Sequence, residues 1–532
     1  MLRTLLVLTG IAGVLVLTGC QTEKDYRNER AEKAIRYFEY SQLRKMVPDK
    51  KLTLADCIAI GLKHNLDLKV KQQEEDIAAE LRTAELLGML PELNINDGFS
   101  GRTNIPASSS KAYDSDGATY GASQNQDKVL NTFNIDLALS VMDFGLAFFN
   151  SQQAHDRVLL RKQRTERMAQ NLTLDIINAY CRVAAAQTAW GITSGMLVIC
   201  RDRDETIKKL RKENKITPFR AFEEIRRFNE MERRQAAYEQ EYYNACVELR
   251  ALLGFYPSAE ITVDDSFLDK MPSDEVLPSL DVMEQIALIR RPELQETEIQ
   301  RHISLIECRK AILTMFPNAR VFLDFNNVNN SFLYNQNWWE MGVAAAFNLL
   351  KLPQKIAQTM AYYRQADAET MRTFAQSIAV ISQVRISHAN IMANKEIYSR
   401  AEKSFQNYNK TLNAARKNQK VTVSDLSQLE IDHMVLTTAE SRIERTLALA
   451  DYYISFYRLM NSMGLREYKL DKFSSLPADL EAARKEAGVI LKESPKEKAE
   501  AAPKAVSKEK AKPAPKAVSK EKAKPAPKEK IK

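Results

Sequence analysis

Long stretches of the chain repeat apolar residues at intervals of three and four, the spacing that keeps them on one face of a helix. Residues 146–213 contain no proline, and a helix of that length would extend roughly 100 Å. Its apolar series is Leu172, Ile176, Ala179, Val183, Ala186 and Trp190, and residues 426–457 carry a second series of the same kind. Because these intervals are typical of coiled coils, the pattern predicts long helices packed against one another.

Four other segments of about ten residues alternate apolar and polar positions, which predicts β-strands. Their apolar members are Leu93, Ile95 and Phe99; Phe133, Ile135, Leu137, Leu139 and Val141; Val321, Leu323 and Phe325; and Trp339, Met341, Val343 and Phe347. A long polar loop, residues 102–131, separates the first two strands, and a shorter one, residues 326–337, separates the last two. Such strands fit a soluble antiparallel sheet, and they are also long enough to cross an outer membrane when tilted.

Each pair of strands follows a helical pattern that runs into a proline, in LLGMLPELNI (residues 86–95) and in ILTMFPNARV (residues 312–321). Proline ends a helix because it has no amide hydrogen and forces the preceding residue towards an extended conformation. At the first residue of a strand the missing donor is tolerated. Pro91 and Pro317 are therefore predicted to mark two helix-to-strand junctions.

The two junctions belong to an internal duplication. Several leucines match at the offset that separates the two prolines, namely Leu54 with Leu280, Leu62 with Leu288, and Leu68 with Leu294. Further on, RKENKIT (residues 211–217) matches RKNQKVT (residues 416–422). The predicted organisation is a first repeat at residues 51–265, a second repeat at residues 266–465, and a C-terminal tail at residues 466–532.

Composition also favours long helices, because the 532 residues include only 16 glycines. The formal net charge is +8, and the Lys-rich residues 494–532 account for all of it. That segment repeats KAVSKEKAKPAP, cannot bury a core, and is predicted to be disordered. Since the rest of the chain is near neutral, no nucleic-acid partner is expected.

The N-terminus reads MLRTLLVLTGIAGVLVLTGC, an apolar run followed by small residues and Cys20. The run is too short for a convincing membrane span and predicts a signal peptide at residues 1–19. LTGC resembles a bacterial lipobox, in which cleavage exposes the cysteine for lipidation; a plain signal with an accidental cysteine is the alternative. Cys20 is thus the predicted lipidation site, residues 20–50 are a linker from the anchor, and Gln21 favours an outer-membrane address.

Neither a metal site nor a catalytic site is indicated. The other cysteines, Cys57, Cys181, Cys200, Cys246 and Cys308, are far apart and form no CxxC, and the histidines form no HExxH. No phosphate-binding GxxxxGK sequence occurs. We therefore expect no enzyme activity and no cofactor other than the covalent lipid on Cys20.

Four membrane strands do not close a barrel, because the smallest bacterial membrane barrels have about eight strands and an open edge in lipid leaves backbone groups unpaired. Copies of the chain must therefore combine, and three copies would supply twelve strands. The predicted assembly is a homotrimer in contact with outer-membrane lipid.

These features together resemble the TolC-like outer-membrane efflux family, which includes lipid-anchored members. The resemblance covers roughly residues 52–464. It is carried by LTLADCIAIGLKHNLDLK and its degenerate second copy, the LP and FP junctions, FNIDLALSVMDFG, and the hairpins at Thr217 and Thr422. It implies a mainly α fold with a membrane β-barrel portion: a trimeric channel-tunnel whose subunits supply four strands each to a shared twelve-stranded barrel, continued by a long α-helical periplasmic barrel.

The resemblance also implies that the two hairpins form a periplasmic tip on which a membrane-fusion adaptor docks. The matching residues are Asn214, Lys215, Ile216 and Thr217 in the first hairpin, and Gln419, Lys420, Val421 and Thr422 in the second. Both copies lack the family's glycine, and asparagine tolerates the left-handed turn better than glutamine does. Helix capping by the two threonines is the alternative explanation. Ile216 and Val421 are expected to be apolar anchors with few core contacts.

The predicted function is that of a passive outer-membrane channel in a tripartite efflux or type I-like secretion system. It would work with a periplasmic adaptor and an inner-membrane transporter in a Gram-negative-type envelope. The alternative is a structural coiled-coil lipoprotein of the envelope, for which the four amphipathic strands would have no use.

Overall fold

The computed structural model of the protein describes residues 22–43, 50–111, 113, 119, 121–256, 259–269, 277–419, 425–465 and 472–486. Helices dominate, as the sequence pattern predicts. They are α1 (Glu23–Leu43), α2 (Leu54–His64), α3 (Leu66–Leu87), α4 (Val141–Lys212), α5 (Pro218–Leu253), α6 (Leu280–Arg290), α7 (Pro292–Leu313), α8 (Leu352–Gln419), α9 (Asp425–Ser462) and α10 (Lys472–Glu486). The predicted signal peptide, Cys20 and the Lys-rich segment lie outside the described residues.

The principal sheet has four antiparallel strands in the order β1-β4-β5-β6. The strands are β1 (Glu92–Gly101), β2 (Ala107–Ser108), β3 (Ser123–Gln124), β4 (Val129–Ser140), β5 (Asn318–Val328) and β6 (Asn337–Ala346). The short β2 and β3 pair with each other inside the polar loop that joins β1 to β4. Because β4 pairs with β5, the two halves of the chain share one sheet, and β1 and β6 are its edges.

Several strand ends differ from the sequence pattern. β4 begins at Val129 and β5 ends at Val328, both inside the predicted loops. The alternation predicts a strand at Val141, but Val141 is the first residue of α4. The Ser140 side chain accepts a hydrogen bond from the Asp143 amide at 3.1 Å, which caps the helix one turn early. Phe347 likewise lies beyond β6, which ends at Ala346. At the end of β4, helix capping outweighs the alternating pattern.

Four helices lie side by side next to the sheet, in the order α3-α4-α7-α8. α3 and α7 lead into β1 and β5, while α4 and α8 follow β4 and β6. Ion pairs join neighbouring helices: Arg161 of α4 contacts Glu74 of α3 at 3.0 Å, and Arg167 of α4 contacts Glu293 of α7 at 2.6 Å. α3 and α8 are therefore the edges of this helical layer, as β1 and β6 are the edges of the sheet.

The longest helices extend beyond this layer and form two hairpins. α4 has 72 residues and pairs with α5, and α8 has 68 residues and pairs with α9. α9 also packs on α4, which joins the two hairpins. The sequence prediction of very long packed helices is confirmed.

The largest apolar core lies where the short helices α2, α6 and α10 pack on the middle of α4 and α8 and on the C-terminal part of α9. Tyr180 of α4 is buried there, and its hydroxyl donates to the Asp264 carbonyl oxygen at 2.7 Å. Leu52 pairs with Val263 in an isolated parallel bridge beside it. Phe473 of α10 packs edge to face on Phe456 of α9, with ring centroids 6.0 Å apart. The short elements thus fix the long helices against one another.

The linker predicted at residues 20–50 contains a helix that the sequence pattern did not predict. Thr22 and Asp25 cap α1, because the Thr22 amide donates to Asp25 Oδ2 at 2.9 Å and the Asp25 amide donates to Thr22 Oγ1 at 3.4 Å. Arg27 pairs with Glu23 one turn away at 2.6 Å. Ile35 and Phe38 are exposed. Local capping and charge pairs therefore account for α1.

The order helix, helix, strand, strand, long helix, helix occurs twice, from α2 to α5 and from α6 to α9, with the β2–β3 hairpin as an addition to the first copy. The repeat boundaries at residues 51–265 and 266–465 remain predictions. Among the described helices, α4 alone is long and apolar enough to cross a membrane by length and composition, and 44% of its apolar window is buried. Core helices of soluble proteins are often as long and as apolar, so length and composition do not assign α4 to a membrane.

Candidate functional site

One face of the four-stranded sheet is apolar. The strand register aligns Leu93, Leu137, Leu323 and Met341 in one row and Ile95, Ile135, Phe325 and Trp339 in the next. The rings of Phe325 and Trp339 pack with centroids 5.1 Å apart. Most of these side chains are exposed, and Met341 reaches 80% exposure. A continuous apolar face of this kind normally lies against lipid or against another protein.

The opposite face is polar. The register aligns Asn94, Asp136, Asp324 and Glu340 in one row, and Asn96, Asn134, Asn326 and Trp338 in the next. The Asn134 side-chain amide donates to Asn326 Oδ1 at 2.8 Å, and Arg320 pairs with Asp136 at 2.7 Å. Carboxylates on adjacent strands repel one another unless water screens their charge. This face therefore suits a water-filled space.

Pro91 and Pro317 each lie between a helix and a strand. α3 ends at Leu87 and β1 begins at Glu92, while α7 ends at Leu313 and β5 begins at Asn318. A tight turn fills each interval: the Leu90 amide donates to the Leu87 carbonyl oxygen, and the Phe316 amide to the Leu313 carbonyl oxygen, both at 3.1 Å. Each proline follows this turn and immediately precedes the strand.

The first hairpin turn joins α4 to α5 through a Schellman motif. Asn214 has φ 55°, the left-handed conformation that the missing glycine would otherwise supply. The Lys215 amide donates to the Leu210 carbonyl oxygen at 2.9 Å, and the Asn214 amide to the Arg211 carbonyl oxygen at 3.2 Å. Thr217 then caps α5, accepting a hydrogen bond from the Arg220 amide at 3.4 Å. This turn is thus fully built from local hydrogen bonds.

Ile216 differs from the sequence expectation of an anchor with few core contacts. Its exposure is only 6%, and it belongs to a small apolar cluster with Leu210, Ala221 and Leu436. The reason is a hydrophobic staple: the residue before the helix cap, Ile216, packs in the same cluster as the fourth helical residue, Ala221. That expectation was therefore wrong, although the staple could have been read from the sequence.

Two phenylalanines near the same turn were missed by sequence reasoning. Phe219 is 79% exposed at the second position of α5, and Phe222 is also exposed. The Arg211 guanidinium lies 4.7 Å from the centroid of the Phe222 ring. The signal available in the sequence was TPF (residues 217–219). Thr217 caps α5, Pro218 is the first residue of the helix, and Phe219 follows in an exposed position. These rings are exposed apolar groups beside the first hairpin turn.

The second hairpin is described only on either side of its turn. α8 ends at Gln419 and α9 begins at Asp425. Lys420, Val421 and Thr422 lie outside the described residues, so their roles at the turn stay predictions. The turn conformation proposed for Gln419, which stands where the resembling family has glycine, also stays a prediction.

Ion pairs hold the two hairpins together. Arg220 of α5 contacts Glu430 of α9 at 3.2 Å, and Arg234 of α5 contacts Glu440 of α9 at 2.7 Å. Arg203 of α4 pairs with the buried Asp432 of α9. In each pair the cation belongs to the first hairpin and the carboxylate to the second. The ends of the hairpins are consequently neighbours.

The described residues contain no cluster of histidine, cysteine and acidic side chains that would hold a metal ion. All five described cysteines are free and buried. Burial raises the pKa of the Cys57 and Cys181 thiols to about 12 and that of the Cys200 thiol to about 11. Cys20 lies outside the described residues, and its lipidation stays a prediction.

No protein-family model and no curated protein matches the sequence. Solved structures do match the fold. The Campylobacter jejuni CmeC outer membrane channel aligns with a TM-score of 0.61 at 12% identity, over 81% of this chain and 89% of that chain. The Neisseria gonorrhoeae MtrE outer membrane channel aligns at 0.59 and 16%, over 78% and 90%. The Vibrio cholerae outer membrane protein VceC aligns at 0.58 and 13%, over 77% and 96%.

At identities this low, the structural alignments establish the fold alone. The chain is mainly α-helical with a four-stranded sheet and a two-stranded one, and it is folded like these outer-membrane proteins. The resemblance inferred from the junctions, the strand sequence and the duplication is confirmed at that level.

Proposed function

We propose that this chain, whose fold is TolC-like, forms a passive outer-membrane channel that conducts solutes from the periplasm to the exterior. The observation that carries the proposal is the four-stranded sheet with one exposed apolar face, one polar face and two edge strands. In lipid, each unpaired backbone group on an edge would cost several kcal/mol. Pairing β1 of one copy with β6 of the next removes that cost.

The helical layer supports the same assembly. Exposed apolar residues form a stripe on each edge helix, within about 60° of arc on α3 and about 80° on α8. The stripe on α3 is Leu66, Val70, Ile77 and Leu81, and the stripe on α8 is Ile356, Met360, Tyr363, Met371, Phe374 and Ile378. Contact of one copy's α3 with the next copy's α8 is head to tail, and its repetition produces a ring when the rotation between copies closes. Three copies give a twelve-stranded barrel with its polar faces turned inward, and the assembly is a homotrimer.

The channel has partners in this proposal. The hairpins reach roughly 100 Å from the sheet along α4, as follows from its 72 residues. A periplasmic adaptor docks on the ends of the hairpins and connects the channel to an inner-membrane transporter, which supplies the energy for efflux or type I-like secretion. Lipidated Cys20 anchors the chain in the outer membrane.

Planar-bilayer recording of the detergent-purified protein tests the channel. The wild-type protein should produce discrete conductance steps. Ile95→Arg should abolish insertion, because a cation on the lipid-facing side of a membrane strand costs about 2–4 kcal/mol at the midplane. Asn96→Arg, one residue away on the polar face, should insert and change the conductance instead. Absence of conductance in the wild-type protein, or equal tolerance of both arginines, would contradict the channel and favour a structural lipoprotein.

A further inference from the structure

The ends of the two hairpins carry an excess of positive charge. Residues 208–220 contain Lys208, Lys209, Arg211, Lys212, Lys215 and Arg220 but only one carboxylate, Glu213. Residues 416–419, which end α8, contain Arg416 and Lys417 and no carboxylate. The Arg220–Glu430 ion pair at 3.2 Å keeps the hairpins adjacent here. We call the exposed cations Lys209, Arg211, Lys212, Arg416 and Lys417 the basic tip.

Partners within the chain neutralise only part of this charge. Lys208 pairs with Asp204, and Lys215 contacts Glu213 at 2.8 Å. The hydrogen bond from Lys215 also lowers the pKa of the Glu213 carboxyl. Within the described part of the chain, four members of the basic tip make no ion pair: Lys209, Lys212, Arg416 and Lys417. Their charges therefore face solvent in the isolated subunit.

Helix stabilisation explains part of the pattern. The dipole of a helix favours cations in its last turn, where Lys209, Arg211 and Lys212 end α4, and Arg416 and Lys417 end α8. The same dipole disfavours cations in a first turn. Yet the first turn of α5 has no acidic residue and contains Arg220. The first turn of α5 therefore departs from the charge that the dipole favours, whereas α9 begins with Asp425, in agreement with it.

The basic tip also surrounds exposed aromatic side chains. Phe219 is exposed at the second position of α5, beside the turn, and the Arg211 guanidinium stacks on Phe222. Arginine and aromatic residues are enriched at the centres of protein–protein interfaces, and charges around such centres select the partner by complementarity. Lipid of the membrane that holds the sheet is roughly 100 Å away along α4, far beyond a Debye length of about 8 Å.

We propose that the partner protein which docks on these hairpins presents an acidic end: a helical hairpin whose turn carries carboxylates around an apolar cleft for Phe219. The inference rests on the proposed function, because it assumes that docking occurs at this end of the molecule. A partner with a basic end is repelled, so the charge of the tip determines which adaptors the channel accepts.

Two synthetic helical hairpins test the proposal, identical except for four Glu or four Lys at the turn. Their binding to the full-length protein in detergent is measured by fluorescence anisotropy at two salt concentrations. The Glu hairpin should bind at least about tenfold more tightly than the Lys hairpin, with a preference that shrinks at high salt. Reversing Lys209, Lys212, Arg416 and Lys417 to Glu should invert the preference. Reversing four cations elsewhere, Arg301, Arg309, Lys403 and Lys410, should leave it unchanged.

Three results would overturn the proposal: equal binding of both hairpins, a Glu-hairpin affinity that the tip reversal does not change, or binding to phosphatidylglycerol vesicles without binding to either hairpin. Bilayer conductance of the tip-reversed protein separates this failure from failure of the channel itself. If that protein conducts like the wild type while neither hairpin discriminates by charge, the channel stands and the acidic partner is wrong. If the wild-type protein does not conduct, the proposed function has failed first.

Discussion

Arg291 and Glu293 form a bidentate ion pair at the start of α7, with Nε to Oε2 at 3.1 Å and Nη2 to Oε1 at 2.9 Å. Arg291 is only 2% exposed, and its Nη1 also donates to the Ser462 carbonyl oxygen at 2.9 Å. Arg167 of α4 contacts the same glutamate at 2.6 Å. A single buried guanidinium thus connects α7 with the end of α9 and, through Glu293, with α4.

Removing this guanidinium should weaken the fold. Arg291→Ala leaves the Ser462 carbonyl group without its buried donor and Glu293 with Arg167 as its remaining partner, and an unsatisfied buried acceptor costs about 1–3 kcal/mol. Arg400→Ala removes an exposed pair with Glu396 one turn away and should cost less than about 0.5 kcal/mol. Thermal unfolding of both variants in detergent measures the difference. Indistinguishable melting temperatures would mean that the pair contributes little net stability.

The sequence predicts the long helices and the strands well because both depend on regular spacing of apolar residues. Leu172, Ile176 and Val183 are indeed buried along α4. The spacing of apolar residues does not show where a helix cap ends a strand. Ser140 caps α4, so the helix begins earlier than the alternation indicates. α1 escaped prediction for a similar reason, since charge pairs and capping stabilise it without an apolar period.

The candidate sites were predictable to different degrees. Pro91 and Pro317 are identified by backbone chemistry that belongs to proline itself. The exposure of Ile216 was misjudged because a turn residue was assumed to face solvent, whereas its staple with Ala221 draws it into a cluster. The strand order β1-β4-β5-β6, which brings the carboxylates of both halves into one row, depends on long-range pairing that no local pattern specifies.

Cysteine labelling should report lipidation at Cys20. The chain has 6 cysteines, and the five in the described residues are free and buried. Because burial raises the pKa of Cys57 and Cys181 to about 12, their reactive thiolates are scarce at pH 8. Iodoacetamide should therefore modify none of the five in the folded protein and all five after unfolding. Lipidation blocks the Cys20 thiol, so a sixth label on the unfolded protein would contradict it.

Metabolic labelling provides the matched experiment. Palmitate should be incorporated into the wild-type chain and not into Cys20→Ala, because the lipobox resemblance assigns the acyl chains to that residue alone. Incorporation that persists in the variant would show that the lipobox assignment is wrong.

The edge stripe on α3 should be necessary for assembly. Ile77→Glu puts a charge in the middle of the stripe that the neighbouring copy's α8 is proposed to cover, and burying an unpaired charge is strongly unfavourable. Ala79→Glu adds the same charge to an exposed position on the other side of the same helix. Light scattering of the purified proteins should show a trimer for Ala79→Glu and smaller species for Ile77→Glu. Trimers from both would remove α3 from the interface.

The last prediction separates docking from folding at the first hairpin. Phe219→Asp should leave the assembly intact, because a surface substitution usually changes stability by less than about 0.5 kcal/mol and Phe219 is 79% exposed. It should nevertheless stop export and abolish cross-linking to the adaptor, since an exposed aromatic anchor is the kind of residue whose loss costs an interface more than about 1 kcal/mol. Its effect is therefore expected in transport alone.

Ile216→Ala is the contrasting variant. Ile216 is 6% exposed in the cluster with Leu210, Ala221 and Leu436, so truncation should cost about 2–5 kcal/mol and loosen the hairpin locally. Limited proteolysis should then cleave Ile216→Ala near residues 213–217 faster than wild type, whereas Phe219→Asp should resist like wild type. Normal export by Phe219→Asp would remove Phe219 from the docking surface. Equal protease sensitivity of the two variants would mean that Phe219 also stabilises the tip, and its role in docking could not be separated from the structural role of Ile216.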